Sequence, residues 1–98
     1  MKLFLVVSST LSAGMKAAQA CHALHAFTRA YPEVVREWEV SNNIVVLEHI
    51  DVDTTATMLE ALGLRLARFH EPDMDGALTA ICVEPAAGRR LSALRLAG

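Results

Sequence analysis

Gly14-Met15-Lys16-Ala17-Ala18-Gln19-Ala20-Cys21-His22-Ala23 marks the passage from a strand into a helix. It follows an apolar run, Leu3 to Val7, and opens an alanine-rich segment with helical spacing: Ala17, Cys21, Leu24 and Thr28 recur every three or four residues. A buried strand that feeds a helix through a short polar turn is the opening of an α/β sheet. Such a junction is also a common place for a ligand, because the amides of the first helical turn face outward there.

Lys2–Ser8 reads as a central strand, apolar on both faces. Ser8–Gly14 reads as a turn, and the spacing predicts a helix over Met15–Ala30, ended by Tyr31-Pro32. Pro32 opens a short helix through Trp38. After the Ser41-Asn42-Asn43 turn, Ile44–Ile50 reads as a second buried strand. Asp53 or Thr54 caps a helix to Leu62, which Gly63 stops. Arg65–His70 has charges on one face and reads as a strand near an edge. Glu71–Gly76 is an acidic loop, Ala77–Glu84 a fourth strand, and Ala87–Leu96 a closing helix after Pro85. Two strand–helix–strand passages imply parallel strands with right-handed crossovers. The link between the last two strands is too short for a crossover, so they should be antiparallel neighbours. The expected fold is one α/β domain over 1–98, a three-layer α/β/α arrangement around a four-stranded mixed sheet.

Composition narrows the function classes. The chain has 98 residues, 53% of them hydrophobic, and a net charge of −2. That balance is unlike the basic footprint of most nucleic-acid binders, although Arg65, Arg68, Arg89, Arg90 and Arg95 could form a local patch. Cys21 and Cys82 have no zinc spacing and read as free thiols of a reducing, cytoplasmic setting. The N-terminal apolar core is five residues long, against roughly 7–15 in a signal peptide. No segment approaches the roughly 20 apolar residues of a membrane span.

Three constellations carry possible chemistry. Gln19 and His22, three apart, share a helix face and could orient a water or a ribose hydroxyl. Lys16, in the first helical turn, could bind phosphate or stabilise an oxyanion. Asp73 or Asp75 of the acidic loop could polarise a water beside Thr79, a polar residue in an otherwise apolar strand. Plainer roles fit the same residues: a buried and satisfied histidine, a glutamine capping nearby backbone, a solvated lysine, ordinary turn acids. The histidines offer no metal-ligand set, and no phosphate-cradling glycine loop or nucleophile elbow is present, so neither metal nor cofactor is expected.

Read together, these residues resemble the type II peptidyl-tRNA hydrolase superfamily. Gly14 and Ala17-Ala18-Gln19-Ala20-Cys21-His22-Ala23 stand in the place of that family's G-K-x-A-A-Q-x-x-H-A block. Gly76-Ala77-Leu78-Thr79-Ala80-Ile81-Cys82-Val83-Glu84-Pro85 is similar to its last strand. The resemblance implies a mixed sheet between helix layers, frequent dimers, tRNA or peptidyl-tRNA as partner, and hydrolysis of the ester joining a peptide to the 3′ end of tRNA. It implies catalytic roles for a lysine, a loop aspartate (Asp73 or Asp75) and Thr79, with Lys16 and His22 as the nearest further candidates and Gly14 and Gln19 lining the substrate site. Two departures stand out. Met15 occupies the family's lysine position with Lys16 one residue later, and the acidic loop is shortened. They make the chain similar to the divergent peptidyl-tRNA hydrolase domain-containing branch. The alternative expectation is a module of the same fold that binds RNA or protein without catalysis. Hydrolysis of another small ester or amide is a third.

Overall fold

A computed structural model describes residues 1–98. The strands are β1 (Lys2–Ser8), β2 (Asn43–His49), β3 (Leu66–Glu71), β4 (Ala77–Val83) and β5 (Arg95–Leu96). The helices are α1 (Ala13–Ala30), α2 (Pro32–Trp38) and α3 (Val52–Ala61), with 3₁₀ turns at Pro72–Met74 and Pro85–Leu91. The strands form one mixed sheet in the order β3-β4-β1-β2-β5. β1 and β2 pair in parallel from Lys2 opposite Asn43 to Ser8 opposite His49. β4 is antiparallel to both β1 and β3, and β5 is antiparallel to β2. β1, β2 and β3 therefore point the same way, and their carboxyl ends share one end of the sheet.

Alternation along β1 builds the core. Leu3, Leu5 and Val7 are fully or almost fully buried among Ala20, Ala23 and Phe27 of α1 and Val34 and Trp38 of α2. Val6, between them, packs into a separate cluster with Leu47, α3 (Val52, Ala56, Leu59) and Leu91. Successive strand residues face opposite sides of a sheet, so α1 and α3 cover opposite sides of β1. Burial of a side chain such as Phe27 contributes about 1.5–3 kcal/mol.

The capping residues set the helix starts. The Ser12 hydroxyl accepts from the Met15 amide at 3.3 Å, so α1 begins two residues before the expected Met15. Asp51 caps α3, accepting from the Thr54 amide at 3.0 Å and the Thr54 hydroxyl at 2.7 Å. The expected caps, Asp53 and Thr54, lie inside that helix because the carboxylate two residues earlier reaches the free amide of the first turn. Gly63 stops the segment with a φ of +80°. β2 runs Asn43–His49 rather than Ile44–Ile50, β3 runs Leu66–Glu71 rather than Arg65–His70, and β4 stops at Val83 rather than Glu84. β3 does lie at an edge of the sheet.

The expected closing helix over Ala87–Leu96 is the main correction, and with it the strand count rises from four to five. Pro85 starts only a 3₁₀ segment, held against the sheet where Gly88 meets the Phe4 ring. An added β-carbon there would stand 3.0 Å from Phe4 Cζ. The chain then extends, and Leu96 and Arg95 pair with Leu47 and Glu48. The free edge of β2 offers these residues ladder hydrogen bonds that the local sequence does not announce.

Candidate functional site

α1 crosses the sheet with two polar residues on its buried side, and each reaches a different flank of β1. Gln19 reaches the β4–β3 flank, where it is 2% exposed. Its Nε2 donates to Glu71 Oε2 at 3.0 Å, and its Oε1 accepts from the Thr79 hydroxyl at 2.8 Å. The Glu71 carboxylate only accepts, so the amide nitrogen must face it, and the Thr79 hydroxyl must then be the donor.

Thr79 reaches Gln19 because β4 is irregular there. Phe69 pairs with Ala80 and His70 with Leu78, which leaves Thr79 as the extra residue of a β-bulge. Strict alternation would put Thr79 on the same side as Ile81 and Val83, which pack with α3. The bulge puts it on the α1 side next to Ala80, a member of the α1 cluster. Glu71 comes to the same point from the end of β3. Its second oxygen accepts from the Asp73 amide at 3.3 Å, and its carbonyl accepts from the Gly76 amide at 2.9 Å. Glu71 thus ties α1 to the acidic turn, where Asp75 holds a left-handed φ of 54°.

One helical turn beyond Gln19, the His22 ring stacks on Phe69 with centroids 4.5 Å apart. Gln19–Glu71 and His22–Phe69 therefore form two rungs between α1 and β3. His22 is exposed rather than buried, and Gln19 bonds to side chains rather than to backbone. Asp73, Asp75 and Gly14 are all exposed, and a β-carbon at Gly14 would meet nothing within 4 Å. Glu71 is the residue that sequence reasoning passed over. It sits at the head of a loop of acids, and nothing local distinguishes it from Asp73 or Asp75.

Lys16 goes to the other flank. Its Nζ donates to Glu48 Oε1 at 2.9 Å and to the Gly98 carbonyl at 3.4 Å. The same Glu48 oxygen accepts from the Gly98 amide at 3.1 Å, and Arg95 stands 3.7 Å from the other oxygen. The hydrogen bond from Lys16, then that from Gly98, holds the Glu48 carboxyl below the usual carboxylate range against the opposing effect of desolvation. The lysine is neither a solvated surface residue nor a neighbour of Thr79. It is buried, and its partners stand on β2 and beyond β5.

Between α1 and β2 lies an apolar cavity of about 360 Å³, bounded by Lys16, Ala17, Ala20, Leu24, Ile44 and Val46 among others. A more polar depression of about 450 Å³ opens at Ser9, Glu48, His49 and Arg95. None of the three cavities is lined by Gln19, Glu71, Thr79 or His22. The polar network is closed: Gln19, Glu71 and Thr79 are buried, and His22 and Asp73 beside it are exposed. No cluster of three or more His, Cys, Asp or Glu is placed to hold a metal ion. Burial pushes the Cys82 thiol up to about 12, which makes it unreactive, whereas Cys21 is exposed. Of the five arginines of the second half, Arg65 pairs with Glu84 and Glu33 and Arg68 with Glu60. Arg89, Arg90 and Arg95 are exposed. No helix is long and apolar enough to cross a membrane. No protein-family model matches the chain, and no curated protein matches its sequence.

Two expected outcomes follow from this geometry. Thr79→Val keeps the shape but leaves Gln19 Oε1 buried without a donor, so stability should fall by about 1–3 kcal/mol in chemical denaturation. An unchanged midpoint would mean that the bulge does not aim the hydroxyl at Gln19. The second outcome concerns pH. The folded-state value of Glu48 is depressed, so its contribution is complete above its unfolded value of 4.5 and is lost as pH falls through the folded value. Thermal melts should show a shallower acid-side loss in Glu48→Gln than in the parent chain, and parallel curves would contradict the pairing.

Proposed function

We propose that this chain is a type II peptidyl-tRNA hydrolase-like protein, a cytoplasmic homodimer that hydrolyses the ester between a peptide and the 3′ end of tRNA. The observation that carries the reading is convergence. Gln19 and His22 of the Ala17–Ala23 block, the acidic turn after β3, and Thr79 of the last long strand come from three separate parts of the chain, and they meet at one end of the sheet. That end is the carboxyl end of β1 and β3, where α/β sheets place ligands. Helices on both sides of β1 agree with the three-layer arrangement of that superfamily.

Distance along α1 sorts the roles. Helical rise is about 1.5 Å per residue, so Gly14 and Gln19 are about 7.5 Å apart along the axis, and Gly14 and His22 about 12 Å. A carbonyl seated on the amides of Ala13 and Gly14 is within reach of the Gln19 end of the network but beyond His22. Those two amides are free for it, because Ser12 already accepts from Met15 and Lys16. Asp73 is the acid of choice, because its amide is tied through Glu71 to Gln19, whereas Asp75 has no such tie. In the proposed reaction Asp73 takes a proton from water as the oxygen adds to the ester carbonyl. The helix-start amides donate to the developing oxyanion. The bond to the ribose 3′ oxygen then breaks and that oxygen receives the proton from Asp73, which leaves tRNA and a peptide carboxylic acid that releases its own proton to water. Gln19, Glu71 and Thr79 hold the turn in register, and His22 supports it by stacking on Phe69.

A second reading rests on a specific observation. The ammonium of Lys16 is held by Glu48 and the Gly98 carbonyl, and Met15 stands in its place at the helix start. A chain so arranged would bind the tRNA end, with Arg89, Arg90 and Arg95 as phosphate contacts, and not cleave it. N-acetylaminoacyl-tRNA incubated with the purified protein separates the two. The hydrolase reading expects turnover above buffer and a loss of about 10²–10⁴-fold in Asp73→Asn. Salt-sensitive tRNA binding without turnover establishes the second reading in its place.

A further inference from the structure

We propose that the cavity between α1 and β2 is a binding site for a small apolar molecule that carries a single hydrogen-bond acceptor, such as an aryl ketone. This site is separate from the Gln19 network and does not depend on the hydrolase reading. Nine of its eleven lining residues are hydrophobic, and its volume of about 360 Å³ lies within the range of small-ligand sites.

Its origin is legible in α1. On the β3 flank the helix presents the His22–Phe69 stack, which occupies the space against the strand. On the β2 flank it presents Ala13, Ala17, Ala20 and Cys21, whose small side chains stop short of Ile44 and Val46. The space is open to solvent along Ala13, Ala17, Cys21 and Ile44, so a ligand can enter it without displacing the core. Leu5, 1% exposed, is part of its apolar wall, and Ile44, 47% exposed, stands on the β2 side.

One polar group gives the site a direction. Lys16, 8% exposed, lines the cavity, and its ammonium has three donors. Glu48 and the Gly98 carbonyl take two of them. The third has no acceptor in the protein, and in the proposed complex it donates to the ligand. Because Glu48 already neutralises the ammonium, a neutral acceptor suits it better than a carboxylate, which would meet the Glu48 charge. Residues Ala97 and Gly98 form part of the wall, fixed by Ala97 N to Val46 O at 2.9 Å and by Lys16 and Glu48.

The probe is prodan, an aminonaphthalene with one ketone, whose emission shifts to the blue in apolar surroundings. Titrated into the full chain, it should show a saturable blue shift. Ala17 is exposed and lines the cavity, so Ala17→Trp should fill the space without disturbing the core and weaken binding at least about tenfold. Ala18→Trp, about 100° around the helix, should leave binding unchanged. Lys16→Met should weaken prodan by about tenfold and the same naphthalene without its ketone far less. Cys21 lines the site and is the exposed thiol of the two, so bound prodan should also slow its alkylation by iodoacetamide. No saturable binding, or equal binding by the parent chain and Ala17→Trp, overturns the proposal.

Discussion

The side-chain amide of Gln19 is the contact on which the arrangement of the site depends. It is buried where α1 crosses the β3–β4 side of the sheet, and it satisfies one acceptor and one donor from different strands. A buried amide left unpaired costs about 1–3 kcal/mol, so the sheet must supply both partners at once. Glu71 supplies one at the end of β3. Thr79 supplies the other only because β4 bulges at that residue. The bulge, the shape of the acidic turn and the position of α1 are therefore three consequences of satisfying one glutamine.

Lys16 does the corresponding work on the opposite flank. It meets Glu48 at the end of β2, and that carboxylate in turn fixes the last residues of the chain through the Gly98 amide and Arg95. Two buried polar contacts thus hold one helix to the sheet from its two sides. One lies beside the exposed His22 and Asp73. The other borders an apolar cavity. The Gln19 network and the cavity are consequently distinct places on one scaffold, separated by the width of α1.

The parts of the fold legible in the sequence are those governed by local pattern. β1 and α2 have the expected bounds because an apolar run and a proline define them. α1, β2, β3 and β4 were legible with ends shifted by a residue or two, since caps and pairing partners decide ends. β5 was not legible, because Arg95-Leu96 becomes a strand only through the free edge of β2. In the site, Gln19 stood out through the helix face it shares with His22, and Thr79 as a polar residue in an apolar strand. Their direct contact was hidden, since strand alternation alone sends Thr79 to the other side of the sheet. Glu71 was hidden among acids, and Lys16 looked like a surface residue because its partner lies 32 positions away.

Gln19 is the only glutamine, and Asn42 and Asn43, both exposed, are the only asparagines. Three side-chain amide pairs therefore make up the whole of that region of a nitrogen-15 spectrum. Hydrogen exchange of the Gln19 pair tests the central contact directly. If Glu71 and Thr79 hold it, at least one Gln19 proton should be well resolved and exchange about tenfold or more slowly than those of Asn42 and Asn43. A Gln19 pair that exchanges as fast as the two asparagines would contradict the account.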